Sequence, residues 1–146
     1  MLHHAVGIGG QVLEPLGLFT QPRLEERRQD PCDRSECGAC TVMLDGVTTY
    51  SCSTLTQVAR GRKITTIEGI AGPDGGLHKV QKAMIAELGP QCGFCTSGQV
   101  VAAVALLNRN PHPTIDEARR GMSGNLCKCG AYDHYLKAIM RASQEA

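Results

Sequence analysis

Eight cysteines in a chain of 146 residues fall into two groups of four: Cys32, Cys37, Cys40 and Cys52, then Cys92, Cys95, Cys127 and Cys129. Against them stand no Trp, two Phe and three Tyr. So little aromatic volume leaves a small chain short of core, and something besides ordinary side-chain packing has to stabilise it. Eight thiols fit a disulfide framework, zinc sites or iron-sulfur clusters, with inert core thiols as the plain alternative. The opening Met1-Leu2-His3-His4-Ala5-Val6-Gly7 has no basic start or sustained apolar run, and Arg27-Arg28 is followed by polar residues, so neither a secretory nor a twin-arginine signal is visible. A cytoplasmic location is the expectation. Persistent disulfides are rare there, which makes metal ligation the leading class.

The formal net charge of +1 excludes the broad basic field that nucleic acid or acidic lipid would require, and no stretch is apolar for long enough to span a bilayer. Neither a nucleic-acid partner nor a membrane span is expected. If both groups hold a cluster, each oxidised 2Fe-2S centre with four thiolates adds about −2, which takes the chain to roughly −3.

The spacing discriminates further. Cys32-Asp33-Arg34-Ser35-Glu36-Cys37-Gly38-Ala39-Cys40 is C-x4-C-x2-C, with Cys52 from further on. That is the plant-type ferredoxin spacing for a 2Fe-2S cluster. One tight loop must wrap the cluster and aim backbone N–H groups at its sulfurs, and small residues such as Gly38 and Ala39 permit that approach. Structural zinc sites usually offer two short pairs instead, and the x4 step is awkward for them. In the second group, Cys92-Gly93-Phe94-Cys95 is answered by Cys127-Lys128-Cys129. A C-x-C step places two thiolates close together at one edge of a cluster. Both pairs stand before predicted helices, where free N–H groups and the positive dipole end favour an anionic centre.

The halves differ in pattern. Thr41–Leu44 and Val47–Tyr50 are β-favouring runs joined by Asp45-Gly46, a pair suited to a two-residue hairpin turn, so Cys40 and Cys52 flank one hairpin. Ile64–Ile67 predicts a further strand, and Val6–Ile8 with Val12–Leu13 a weak hairpin around Gly9-Gly10. The Gly/Pro-rich Ala71-Gly72-Pro73-Asp74-Gly75-Gly76 reads as a linker. Beyond it Leu77, Val80, Met84, Ile85 and Leu88 recur at helical steps, Gln99–Leu107 is apolar nearly all round, Thr114 to Glu117 is a capping box, and Tyr132, Tyr135, Leu136, Ile139 and Met140 form a last stripe. The expected fold class is α+β, with four short helices following a small sheet.

At these residues the chain resembles the small iron-sulfur subunit of the molybdenum hydroxylases, the xanthine dehydrogenase and aldehyde oxidoreductase family. The matching stretches are Glu36-Cys37-Gly38-Ala39-Cys40-Thr41-Val42, Leu44-Asp45-Gly46, Ser51-Cys52, Ile67-Glu68-Gly69, Gln91-Cys92-Gly93-Phe94-Cys95-Thr96 and Gly124-Asn125-Leu126-Cys127-Lys128-Cys129. The resemblance implies an N-terminal β-grasp ferredoxin-like domain over residues 1–72 and a four-helix domain over 73–146, each holding a 2Fe-2S cluster on its four cysteines. It also implies a large subunit carrying molybdopterin, against which Gln91 and Cys129 would lie, and a medium FAD-binding subunit that receives electrons. Substrate chemistry would then take place on the large subunit. The competing readings are a zinc-stabilised adaptor and a free-standing two-cluster ferredoxin.

Three departures accompany the likeness. The family's opening is not recognisable in residues 1–31, where Pro31 replaces the Gly before the first cysteine. Ser35 stands where Gly is common, and Ser97 where Pro follows Thr. His3, His4, His78, His112 and His134 show no ligand pairing and read as exposed or capping residues. Glu25-Glu26-Arg27-Arg28 reads as a solvated charge run and Phe94 as a shield over the second group. No Ser-His-Asp set, paired carboxylates or phosphate-cradling loop is present, and Gly7-Ile8-Gly9-Gly10 lacks the helix that a dinucleotide fingerprint needs.

Overall fold

The computed structural model describes residues 32–71 and 75–145 together with two short strands near the start. Those strands, β1 (Gly7–Ile8) and β2 (Gln11–Val12), pair antiparallel, Gly7 with Val12 and Ile8 with Gln11. The charge run at residues 25–28, His3, His4 and the 72/73 boundary lie outside the described residues.

A three-stranded antiparallel sheet of order β4-β3-β5 is built from β3 (Thr41–Leu44), β4 (Val47–Tyr50) and β5 (Ile64–Thr65). The hairpin forms as its turn residues dictate: Asp45 and Gly46 take φ of 50° and 83°, the positive angles of a type I′ turn. Asp45 does a second job, since its carboxylate accepts from the Lys63 backbone N–H at 2.8 Å and from Arg62 at 2.7 Å, which ties the turn to the approach of β5. All four residues of β3 are buried, because this central strand is covered on both faces. The strand predicted over 64–67 is shorter than its β-favouring run. Backbone from Ile67 to Ile70 tightens into a 3-10 turn that carries Ile70 into the core.

A short helix α1 (Thr56–Ala59) precedes β5, and four helices follow: α2 (Lys79–Ala86), α3 (Thr96–Arg109), α4 (Ile115–Gly121) and α5 (Tyr132–Ala142). Helix α3 is the hub, buried from Gly98 through Leu107, with β3 and β4 against it on one side and α2, α4 and α5 around the rest. Met43 and Ile70 join its core, so one apolar cluster runs from sheet to helices, while Leu44, Ala59 and Ile64 form a small satellite. The capping box of α4 forms between Thr114 and Glu117. A second, at His78 and Gln81, starts α2.

The stripe predicted on α2 is corrected. Val80 and Met84 are buried, with Ala83 between them, whereas Leu77, Ile85 and Leu88 are exposed. The helix stops too soon for the longer repeat. Leu88 takes a φ of 54° and its N–H bonds the Ile85 carbonyl while the Gly89 N–H reaches back to Met84, a Schellman closure that turns the chain away. On α5, Tyr135, Leu136 and Ile139 are buried as expected, Met140 is partly buried against the same core, and Tyr132 is exposed.

Candidate metal centres

The first thiol group is shaped by turns. Asp33 and Ser35 take φ of 48° and 61°, and the loop closes around Cys32 so that the N–H groups of Glu36 and Cys37 point at its Sγ from 3.4 and 3.5 Å. Backbone N–H groups of Arg34, Cys37 and Glu36 together pull the Cys32 thiol down to about 7, toward the thiolate that binds metal. Burial does the opposite at Cys40, pushing it up to about 11. The left-handed backbone at Ser35 shows why Gly is favoured there. The Ser35 hydroxyl bonds that of Ser53, beside Cys52.

The four thiols gather as two pairs. Cys32 lies within hydrogen-bonding reach of Cys37, and Cys40 of Cys52, which the hairpin brings together through Ser51 N–H and Oγ bonds to the Cys40 carbonyl at 3.2 and 3.0 Å. Tyr50 stands among all four: burial first, then the field of Cys40, Cys37, Cys32 and Cys52, raises its phenol.

The second group pairs across the helical half. Cys95, at the N-cap of α3, neighbours Cys127, and Cys92 neighbours Cys129. Burial pushes the Cys95 thiol up, whereas the Phe94 backbone N–H lowers Cys92, with help from Cys129. The set is graded. Cys95 and Cys127 are buried, Cys92 and Cys129 exposed, and around the exposed edge lie Gln91, Phe94 (45% exposed), Leu126 (53%) and Tyr132 (45%).

Two pairs of thiols per group suit two metal ions held side by side, as in a 2Fe-2S cluster.

The two groups meet at a seam that the cysteine spacing does not announce. Asn125, buried between them, donates from Nδ2 to the Gly38 carbonyl at 2.8 Å and to Thr41 Oγ1 at 3.1 Å, and its own carbonyl accepts from Gln99 Nε2 at 3.1 Å. The Leu126 N–H bonds the Cys37 carbonyl at 2.8 Å, and the Tyr50 hydroxyl donates to the Gly124 carbonyl at 2.8 Å. Ser97, the residue standing in place of Pro, donates to the Ala39 carbonyl at 3.3 Å, a bond that Pro lacks the hydroxyl to make. Gly38 and Gly98 allow this closeness. Gly38 has φ of 73°, and a Cβ there would collide with the Gly124 carbonyl, as one on Gly98 would with the Gly38 carbonyl.

Comparison with known proteins decides the family. A family described as a 2Fe-2S binding domain matches residues 66–140. A nicotinate dehydrogenase subunit of Pseudomonas putida is 40% identical over 145 residues, covering 94% of this chain and 92% of its own. The chain belongs to the iron-sulfur subunits of the molybdenum hydroxylases. An alignment covering 94% of the chain takes in part of residues 1–31, so the likeness reaches into the opening where no motif is recognisable. The aldehyde oxidoreductase iron-sulfur-binding subunit PaoA of Escherichia coli K12 is 44% identical over 129 residues and 78% of this chain, which spans only 56% of that relative. Quinoline 2-oxidoreductase from Pseudomonas putida 86 superposes with a TM-score of 0.78 at 32% identity, over 96% of this chain and 92% of that one. No described helix is long and apolar enough to cross a membrane.

Proposed function

We propose that this iron-sulfur subunit is the two-cluster electron relay of a molybdenum-cofactor hydroxylase. Cys32, Cys37, Cys40 and Cys52 hold one 2Fe-2S cluster, and Cys92, Cys95, Cys127 and Cys129 hold the other. A 2Fe-2S cluster supplies reversible one-electron transfer at a potential set by its ligands, the hydrogen bonds to its sulfurs and its exposure. In this reading residues 1–72 form a β-grasp ferredoxin-like domain and 73–146 a four-helix domain.

The observation that carries the proposal is the arrangement of the eight thiols as four pairs in two groups whose loops are bonded to each other across the Asn125 seam, one group being exposed at an edge. Cys92 and Cys129 sit at that edge among Gln91 and the exposed Phe94, Leu126 and Tyr132. An apolar rim around an anionic centre is what a partner subunit would cover. We assign this face to the large molybdopterin-binding subunit, with Gln91 and Cys129 toward the pterin. The first group is assigned to hand electrons on to a medium FAD-binding subunit or another acceptor. The Asn125 seam keeps the groups at a fixed separation, which a relay needs.

Substrate chemistry belongs to the large subunit in this reading. The relatives' names cover aldehydes, nicotinate and quinoline, so the class is an aldehyde or nitrogen-heterocycle carbon hydroxylated with oxygen from water. A reducing compartment, the cytoplasm, suits eight cysteines of which none is bridged. Affinity purification of the chain from cells that express it natively tests the proposal. It should yield a red-brown complex with a larger molybdopterin-containing chain, iron and acid-labile sulfide; a colourless chain with stoichiometric zinc would overturn it.

A further inference from the structure

Tyr135 belongs to none of the stretches that carry the family likeness, yet it reaches the second thiol group. It is 2% exposed on α5, and its ring lies against Gly89, where a Cβ would come within 3.1 Å of two ring carbons. Its hydroxyl is 3.6 Å from Cys95 Sγ and 3.4 Å from Thr96 Oγ1. A buried phenol must place its proton on a partner, and these two atoms are the ones within reach.

We propose that Tyr135 donates its hydroxyl hydrogen bond to Cys95 Sγ and so raises the reduction potential of the second centre. The inference rests on the assignment of Cys95 as an iron ligand. A sulfur bound to iron carries no proton and can only accept, while the Thr96 hydroxyl has a proton of its own to give. The order Thr96 to Tyr135 to Cys95 therefore satisfies all three groups. Drawing charge from a ligand sulfur favours the reduced, more negative cluster. The first group has no equivalent from its own tyrosine, because Tyr50 spends its hydroxyl on the Gly124 carbonyl. Tyr135 is thus a positioning residue acting through Cys95, and it separates the two centres in potential.

The test is a redox titration of the intact complex, followed by electron paramagnetic resonance, for wild type and Tyr135→Phe. The expected result is a lower midpoint for the second centre only, with the first centre's midpoint and the iron and sulfide content unchanged. An unmoved midpoint in a fully loaded Tyr135→Phe complex would overturn the proposal. If Tyr135→Phe does not load with iron, 3-fluorotyrosine at position 135 decides: its more acidic phenol should raise the same midpoint, and no change overturns the donor role. A wild type lacking iron and sulfide would remove the ligand assignment itself, a failure distinct from an unmoved potential.

Discussion

The two thiol groups are built by different means. Cys32, Cys37, Cys40 and Cys52 sit on a loop and the hairpin that follows it, all of them half-buried. Cys92, Cys95, Cys127 and Cys129 are joined only when α3 and α5 pack, and they run from buried to exposed. A centre made by local turns has its geometry written in consecutive residues; one made by helix packing inherits its geometry from the core. The second group can therefore present a face to a partner while its other edge stays sealed in the protein. The seam around Asn125 is what makes the two a unit.

Disturbing the seam should have the largest effect. Gly38→Ala adds a Cβ at a left-handed φ and drives it into the Gly124 carbonyl; strain and overpacking together cost on the order of 4 kcal/mol. Thermal unfolding should show a large drop, with both centres lost together. Asn125→Ala removes the two Nδ2 bonds to the Gly38 carbonyl and Thr41 Oγ1, about 2 kcal/mol for the two together, while the Gly38 carbonyl keeps the Thr41 N–H and hydroxyl as donors. Denaturant titration checks that value, and a change under 0.5 kcal/mol, the range of ordinary surface substitutions, would mean the seam is held elsewhere. Tyr50→Phe removes one bond across the seam, the 2.8 Å contact to Gly124, for about 1 kcal/mol.

The smallest effect sharpens the comparison on the side of the local turns. Asp45 is held below its usual carboxylate range by Arg62 first and then by the Lys63 N–H. A folded-state pKa below the unfolded value means that this tie is fully present above about 4, the ordinary Asp value. It is lost as the pH falls through the folded pKa. Amide exchange at the hairpin end should speed up on acidification, and it should not in Asp45→Asn, which has no carboxylate to titrate.

Local chemistry was legible in the sequence where neighbours in the chain decide the structure. Asp45-Gly46 announces its turn, Thr114 and Glu117 their cap, and the unbroken apolar run from Gln99 its burial. Of the histidines described, His78 caps α2, His112 is exposed, and His134 bonds the Glu87 carbonyl at the end of α2. What was hidden is non-local. Periodicity carries the α2 stripe past the point where Leu88 and Gly89 turn the chain, and nothing near Asn125, Gly98 or Ser97 says that they meet the first cysteine loop. Tyr135 reads as one member of an apolar stripe; its hydroxyl matters only because α5 lies beside the start of α3.

The central claim is two separate one-electron centres, one on each thiol group. The direct measurement is metal analysis and electron paramagnetic resonance of the reduced complex for wild type and Cys92→Ala, which alters an exposed thiol and leaves the core intact. Wild type should hold about four iron and four sulfide per chain, two of each per 2Fe-2S cluster, and give two distinct signals. Cys92→Ala should lose the signal of the second group and keep that of the first. Full iron and both signals in Cys92→Ala, or a single signal in wild type, would contradict the account.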